Sequence, residues 1–297
     1  MKALMSNRPI AGTIQAVRQT EGGGFVVRRP FPTARVDNLD PFLLLDEMGP
    51  VDYAPGRAIG APDHPHRGFE TVTYMMHGEM EHRDSNGGHG VITPGAVQWM
   101  TAGAGIVHSE MPSDRLMREG GRMHGFQLWV NLPAAKKMIP PRYQGYEAHE
   151  IPSRVLSGGG VIRVIAGEVE GVCGIVETTS PMAYAHVTLT PAESIVFDVP
   201  DGHTALVHVF IGSATVNGVE GDEGVMVVGD RSSGAMSVTA GPNGCDVLLL
   251  SGEPLLEPIA RSGPFVMNTR EEIVQAFDDY ETGRLGRIVA TGSGVSR

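Results

Sequence analysis

The sequence predicts an all-β protein made of two tandem β-barrels followed by a C-terminal helix. Three observations lead there. The chain is rich in turn formers, with 40 Gly and 21 Pro in 297 residues, and such residues are used most where short strands meet tight turns. Short β-prone runs recur between them, as at 24–27, 70–75, 126–131, 183–189 and 205–211, a spacing that suits sandwiches and barrels. The length fits two ordinary domains, since single domains cluster near ~100–150 residues.

The boundary between the barrels is expected in LPAAKKMIPPRYQ, where Pro133, Pro140 and Pro141 bracket a short basic helical candidate with little β character. The expected division is a first barrel over 1–133, a linker over 134–149, a second barrel over 150–258 and a tail over 259–297. Two short echoes suggest duplication. His77-Gly78-Glu79 and Ile211-Gly212-Ser213 each begin a hairpin, and Thr-Ala-Gly occurs at 101–103 and again at 239–241. In the tail, Asn268 or Thr269 can cap a helix, Glu272 completes a capping box, and Ile273, Phe277 and Tyr280 share one face before Gly283.

Composition narrows the function. With 41% hydrophobic and 19% charged residues the chain reads as globular. Lys and Arg number 23 against 34 Asp and Glu, a formal charge of −11, and no basic run exists to follow a phosphate backbone, so direct nucleic-acid binding is not expected. Cys173 and Cys245 form neither a disulfide framework nor a metal knuckle and are expected to be buried thiols. There is no apolar signal core in MKALMSNRPIAG and no apolar run of the ~20 residues a membrane span needs, which points to a cytoplasmic protein.

The chemistry concentrates in Asp63-His64-Pro65-His66-Arg67-Gly68-Phe69-Glu70 and, some forty residues later, Gly105-Ile106-Val107-His108-Ser109-Glu110. Each segment holds two potential ligands two residues apart. Residues i and i+2 of a strand share a face, so His64 projects with His66, and His108 with Glu110. Converging inside a barrel, three imidazoles and a carboxylate suit a divalent first-row metal: iron, manganese, cobalt, nickel, copper or zinc. Pro65 cannot donate to a ladder and places this segment at a strand start or sheet edge. Glu70 competes with Glu110, because parity aims it with His64 and His66 unless a bulge at Gly68 resets the direction. His77, His82 and His89 are expected to be solvated, while His124 and Gln127 can border a pocket but lie on a strand that reads first as core. Aligning the echoes puts Asp198 and Pro200, or Asp246 and Leu248, where the first half has ligands, and His203 and His208 face opposite sides of one strand, so one metal per chain is expected.

The blocks DPFLLLDEMGPVD, HPHRGFETVTYM, GEMEHRDSNG, PGAVQWMTAGAGIVHSE, HGFQLWVNLP and EPLLEPIARSGPFVMNTREEI resemble the pirin family over nearly the whole chain. The resemblance implies a fold of two cupin (jelly-roll) barrels with a single metal, often iron, in the first. It implies His64, His66, His108 and Glu110 as ligands, preferring Glu110 over Glu70. It also implies two roles. One is a quercetin 2,3-dioxygenase-type oxygenase that takes a small aromatic, flavonol-like substrate and O2; there Glu110, the only one of the four ligands able to accept a proton, is by its own chemistry the candidate general base. The other is a regulatory protein-binding module of the transcriptional-cofactor or enzyme-regulator kind. A cupin sugar-phosphate isomerase is a third class, for which no basic cluster speaks. A monomer is expected.

Overall fold

The computed structural model describes residues 6–21 and 23–288. In chain order it has β1 (Ile10–Gln15), β2 (Val17–Glu21), β3 (Phe25–Phe31), β4 (Phe42–Tyr53), β5 (Ala61–His66), β6 (Phe69–His77), β7 (Met80–Asp84), β8 (His89–Ile92), β9 (Val97–Thr101) and β10 (Ile106–Pro112). The short helix α1 (Asp114–Glu119) leads to β11 (Gly121–Asn131) and β12 (Arg142–Tyr146). Two sheets build the first barrel, one ordered β12-β9-β6-β11-β4-β3-β2 and the other β5-β10-β7-β8. A nine-stranded sheet builds the second.

The boundaries differ from those expected. β1 leaves the first barrel and pairs with Val225–Gly229 of the second, so residues 1–133 are not one unit. The basic segment is no helix beyond the single 3-10 turn Ala134–Lys136, because Pro140 and Pro141 follow at once. Past them the chain forms β12, which extends the first barrel by pairing with β9.

Strand composition follows what each strand touches. In Ser194–Val199 exposed and buried residues alternate strictly, with Ile195, Phe197 and Val199 turned inward and the other face in solvent. β6 is instead buried continuously from Phe69 to Met75. One face lines the first barrel, and the other contributes Val72 and Tyr74 to a core shared with Tyr184, Leu206, Phe210 and Leu250 of the second half. That shared core joins the barrels.

The internal echo is structural at one of its two places. Gly78 and Gly212 both have positive φ, 80° and 73°, and a Cβ on either would lie 2.8 Å or 2.3 Å from a facing backbone oxygen. The two Thr-Ala-Gly triplets are not equivalent, since the first ends β9 and the second lies within the long strand Gly234–Gly252. Anchored on the glycines, the ladders correspond. His82 faces Glu110 as Val216 faces Val238. His108 faces His64 as Met236 faces Phe197. The counterparts of His64, His66, His108 and Glu110 are therefore Phe197, Val199, Met236 and Val238. All four belong to the buried core of the second barrel. This corrects the alignments that pointed to Asp198, Pro200, Asp246 and Leu248.

The tail returns to the first barrel. A hairpin of Ala260–Ser262 and Phe265–Met267 precedes helix α2 (Arg270–Glu281), whose Thr269/Glu272 capping box is formed. Ile273 and Ala276 of the helix and Phe265 and Met267 of the hairpin pack on Val107 of β10, and Arg67 pairs with Asp279 at 2.8 Å. Gly68 makes this possible, since at φ 87° a Cβ would lie 2.0 Å from the Val266 carbonyl oxygen. Residues 289–297 of the expected tail, and 1–5 of the N-terminal segment, lie outside the described residues. Cys245 is buried, but Cys173 is exposed because its two-residue strand belongs to a surface hairpin with Glu168–Val169. Among the described residues no helix is long and apolar enough to cross a membrane.

Candidate metal centre

β5 is the edge strand of its sheet, which accommodates Pro65 between the two histidines. Its register against β10 shifts between His108 and Glu110: His108 faces His64, but Glu110 faces Ala61. The extra residue is a bulge at Pro62–Asp63, and Ser194–Val199 of the second barrel pairs with no such shift. His64, His66 and His108, on the regular stretch beyond the bulge, converge, with ring centroids 4.3 to 4.9 Å apart. One potential ligand atom from each lies within 4.8 Å of the others.

The protonation chemistry of this cluster favours a cation ligand set. His64 Nδ1 lies 2.7 Å from the Pro62 carbonyl oxygen and His66 Nδ1 lies 3.3 Å from that of Pro264. Donating from Nδ1 to a carbonyl leaves the Nε2 lone pair free. His108 is 1% exposed and neither ring nitrogen has a hydrogen-bond partner. Burial, then the neighbouring imidazoles, holds His66 and His108 well below the usual histidine pKa, so both are neutral near pH 7. Three converging imidazoles, two of them held neutral by burial and one with both ring nitrogens orphaned, are what a divalent transition metal would satisfy.

Glu110 is buried on the same wall but outside that group of three. The Thr73 hydroxyl donates to its Oε1 and the Gln127 amide to its Oε2, both at 2.7 Å. Glu70 lies elsewhere. Gly68 turns the chain out of β5, so Glu70 falls in the other sheet, where one oxygen accepts from Thr101 at 2.7 Å and from Thr179 at 2.9 Å. Burial raises its pKa.

The remaining histidines divide. His77 and His89 are exposed, as expected. His82 is not solvated: it is 2% exposed, packed behind His108 at 5.5 Å between ring centroids and against Tyr143, with Nε2 at 3.3 Å from Asp84. Its strand partner Glu110 explains the burial, because both point into the barrel. His124 and His208 meet Glu47 between the barrels, at 2.9 and 3.5 Å, and among the described residues belong to no group of three potential metal ligands. His203 precedes the strand that carries His208.

His64, His66 and Glu110 open onto a 560 Å³ cavity whose other walls include Gln127, Trp129 and Arg261. The sequence offered Gln127 as a pocket border, but its patterns missed Trp129 and Arg261. Trp129 is an ordinary core type on β11, and Arg261 comes from the tail some 130 residues away.

The family models agree with this architecture. The pirin model matches residues 24–130, and the model of the pirin C-terminal cupin domain matches 184–286. This chain belongs to the pirin family. A pirin-like protein of Caulobacter vibrioides is 42% identical over 94% of this chain and 100% of its own, and Homo sapiens pirin is 38% identical over 94% and 95%. A crystal structure of quercetin 2,3-dioxygenase from Acinetobacter baumannii superposes with a TM-score of 0.90 at 40% identity, covering 96% of this chain and 100% of that one. Pirin membership fixes the two-cupin fold. The His64, His66 and His108 cluster adds a site suited to a divalent metal.

Proposed function

We propose that this pirin is a cytoplasmic, iron-dependent dioxygenase that cleaves quercetin or a related flavonol with O2. The observation that carries the proposal is the convergence of three imidazoles, those of His64 and His66 at the wall of a 560 Å³ cavity, beside a buried carboxylate. A purely structural site would be closed around its ion, usually with thiolates. The kinship with a quercetin 2,3-dioxygenase at 40% identity supports the same reading.

Iron, or manganese, cobalt, nickel, copper or zinc in its place, would be held by His64, His66 and His108 with Glu110 as fourth donor, and would supply Lewis acidity toward substrate oxygens. Glu110 takes the proton of the flavonol's enolic hydroxyl. Each of its oxygens accepts one hydrogen bond in the structure and keeps a lone pair for that proton or for the ion. Thr73 and Gln127 hold the carboxylate in place, and the Trp129 indole N–H, 3.3 Å from Gln127 Oε1, fixes which way the amide faces. Trp129, Leu44 and Met48 give the cavity an apolar wall that sheds water around an aromatic ring.

Oxygen uptake with a small flavonol panel, expressed per bound metal, tests the assignment. Glu110→Gln keeps shape but loses charge and basicity, so turnover falls ~10²-fold or more, while Glu70→Gln leaves it near wild type. The reverse result would make Glu70 the working carboxylate. If metal-loaded wild type consumes no oxygen with any flavonol, the regulatory protein-binding role takes its place.

A further inference from the structure

The cavity contains two guanidinium groups with opposite fates. Arg29 is saturated: Nε and Nη2 donate to Asp46 at 2.6 Å each, and Nη1 pairs with Glu21 at 2.7 Å. Arg261 reaches in from the tail hairpin with its guanidinium carbon 4.9 Å from the Trp129 ring centroid. Its one hydrogen bond goes to the Leu43 carbonyl at 3.3 Å, and among the described residues no carboxylate lies within ion-pair distance of it. A partly buried cation with no directly paired carboxylate is costly: burial and then Arg29 pull its pKa down, more than Asp37, Asp46 and Glu21 restore from beyond contact distance, so an anion binding directly to its N–H groups is favoured. Trp129 also meets His66, with ring centroids 5.2 Å apart, which brings Arg261 and the histidine cluster around the same indole.

We propose that Arg261 anchors the substrate, and that the cavity selects planar aromatic molecules carrying an anionic oxygen group, a carboxylate or a phenolate. The guanidinium, backed by Trp129, offers a flat cationic face to an aromatic ring and N–H donors at its edge to the anionic oxygens. Arg261 is a specificity determinant supplied by the tail, and the hairpin that carries it also places the Pro264 carbonyl beside His66. This deepens the dioxygenase reading and rests on it, since a deprotonated flavonol is itself a planar aromatic anion.

The test is calorimetric titration of the metal-loaded protein with 2-naphthoate and with its neutral counterpart 2-naphthamide. Wild type is expected to prefer naphthoate about tenfold or more, the range of a charge-assisted hydrogen bond. Arg261→Gln should lose most of that preference with little change for naphthamide, and Arg261→Lys should keep part of it. A preference that survives in Arg261→Gln means the anion is held elsewhere, the metal included, and overturns the proposal. Metal content and melting temperature are measured on each variant. Should Arg261→Gln lose metal or unfold, Arg261→Lys decides: a reduced preference at full metal content supports the role, and an unchanged one overturns it. No turnover is needed. A protein that discriminates through Arg261 yet consumes no oxygen with flavonols would sink the dioxygenase reading and keep this one, and active protein with no such discrimination would do the opposite.

Discussion

The first barrel holds His64, His66, His108 and Glu110 where the second holds Phe197, Val199, Met236 and Val238. In the second, the inward positions interlock into one continuous apolar cluster. In the first, the interior apolar cluster is smaller and includes Met48, Met75, Met80 and Met123, and the remaining space is a cavity. A barrel interior must be filled or its polar groups must be satisfied, and this chain uses each solution once. The bulge in β5 belongs only to the barrel with polar ligands, where it re-aims side chains without changing the strand plan. Duplicating such a frame leaves one copy free to become packing. The packed copy also completes the first: Thr179, from a loop leading into Met182–Leu189 of the second barrel, binds Glu70, and the chain leaving that barrel brings Arg261 and Pro264 to the metal pocket.

The largest effect that can break this contrast is on metal binding. Wild type should carry about one divalent ion per chain, and His66→Ala with His108→Ala should bring metal to background by elemental analysis. A stoichiometry near two would place a site in the second barrel, where no three His, Cys, Asp or Glu side chains gather among the described residues.

Packing should respond the opposite way. Phe197→Ala opens a void in the filled barrel and should cost about 3–5 kcal/mol by chemical denaturation, whereas Met80→Ala, on the cavity wall, should cost nearer about 2 kcal/mol. Equal costs would mean that the first barrel is packed as densely as the second.

The seam between the barrels should be acid-sensitive. Burial alone would push the Glu47 carboxyl up, but hydrogen bonds from His124 and Arg28 and the nearby His208 imidazole outweigh it and lower the pKa to about 2 from an ordinary 4.5. A depressed carboxyl pKa contributes stability that is complete above 4.5 and is lost as pH falls from 4.5 toward 2, here on the order of 3 kcal/mol. Melting temperatures across that window should drop steeply for wild type and less for Glu47→Gln, which starts lower at pH 7. A parallel decline in both would assign the acid sensitivity elsewhere.

The smallest effect concerns the tail. Thr269→Ala removes the cap of α2 and should cost about 1 kcal/mol, with no change in metal content. Metal loss in this variant would show that the helix holds the site together as well as covering it.

Local sequence determined what depends on spacing along one strand or one turn. His64 with His66, and His108 with Glu110, share faces because a strand alternates; the Thr269/Glu272 box forms because its partners are three residues apart; and Gly78 and Gly212 mark the duplication because each needs a positive φ. Tertiary structure decided what depends on where strands go. Gly68 sends Glu70 into the other sheet, so carboxylates that parity treats alike end in different environments. His82 is buried because its ladder partner faces the barrel interior, although its neighbours look like a polar turn. β1 crosses to the second barrel, and Arg261 arrives beside Trp129 from some 130 residues away, since a sheet edge or a cavity wall is completed by whichever segment the fold brings alongside. No periodicity in the chain records those encounters.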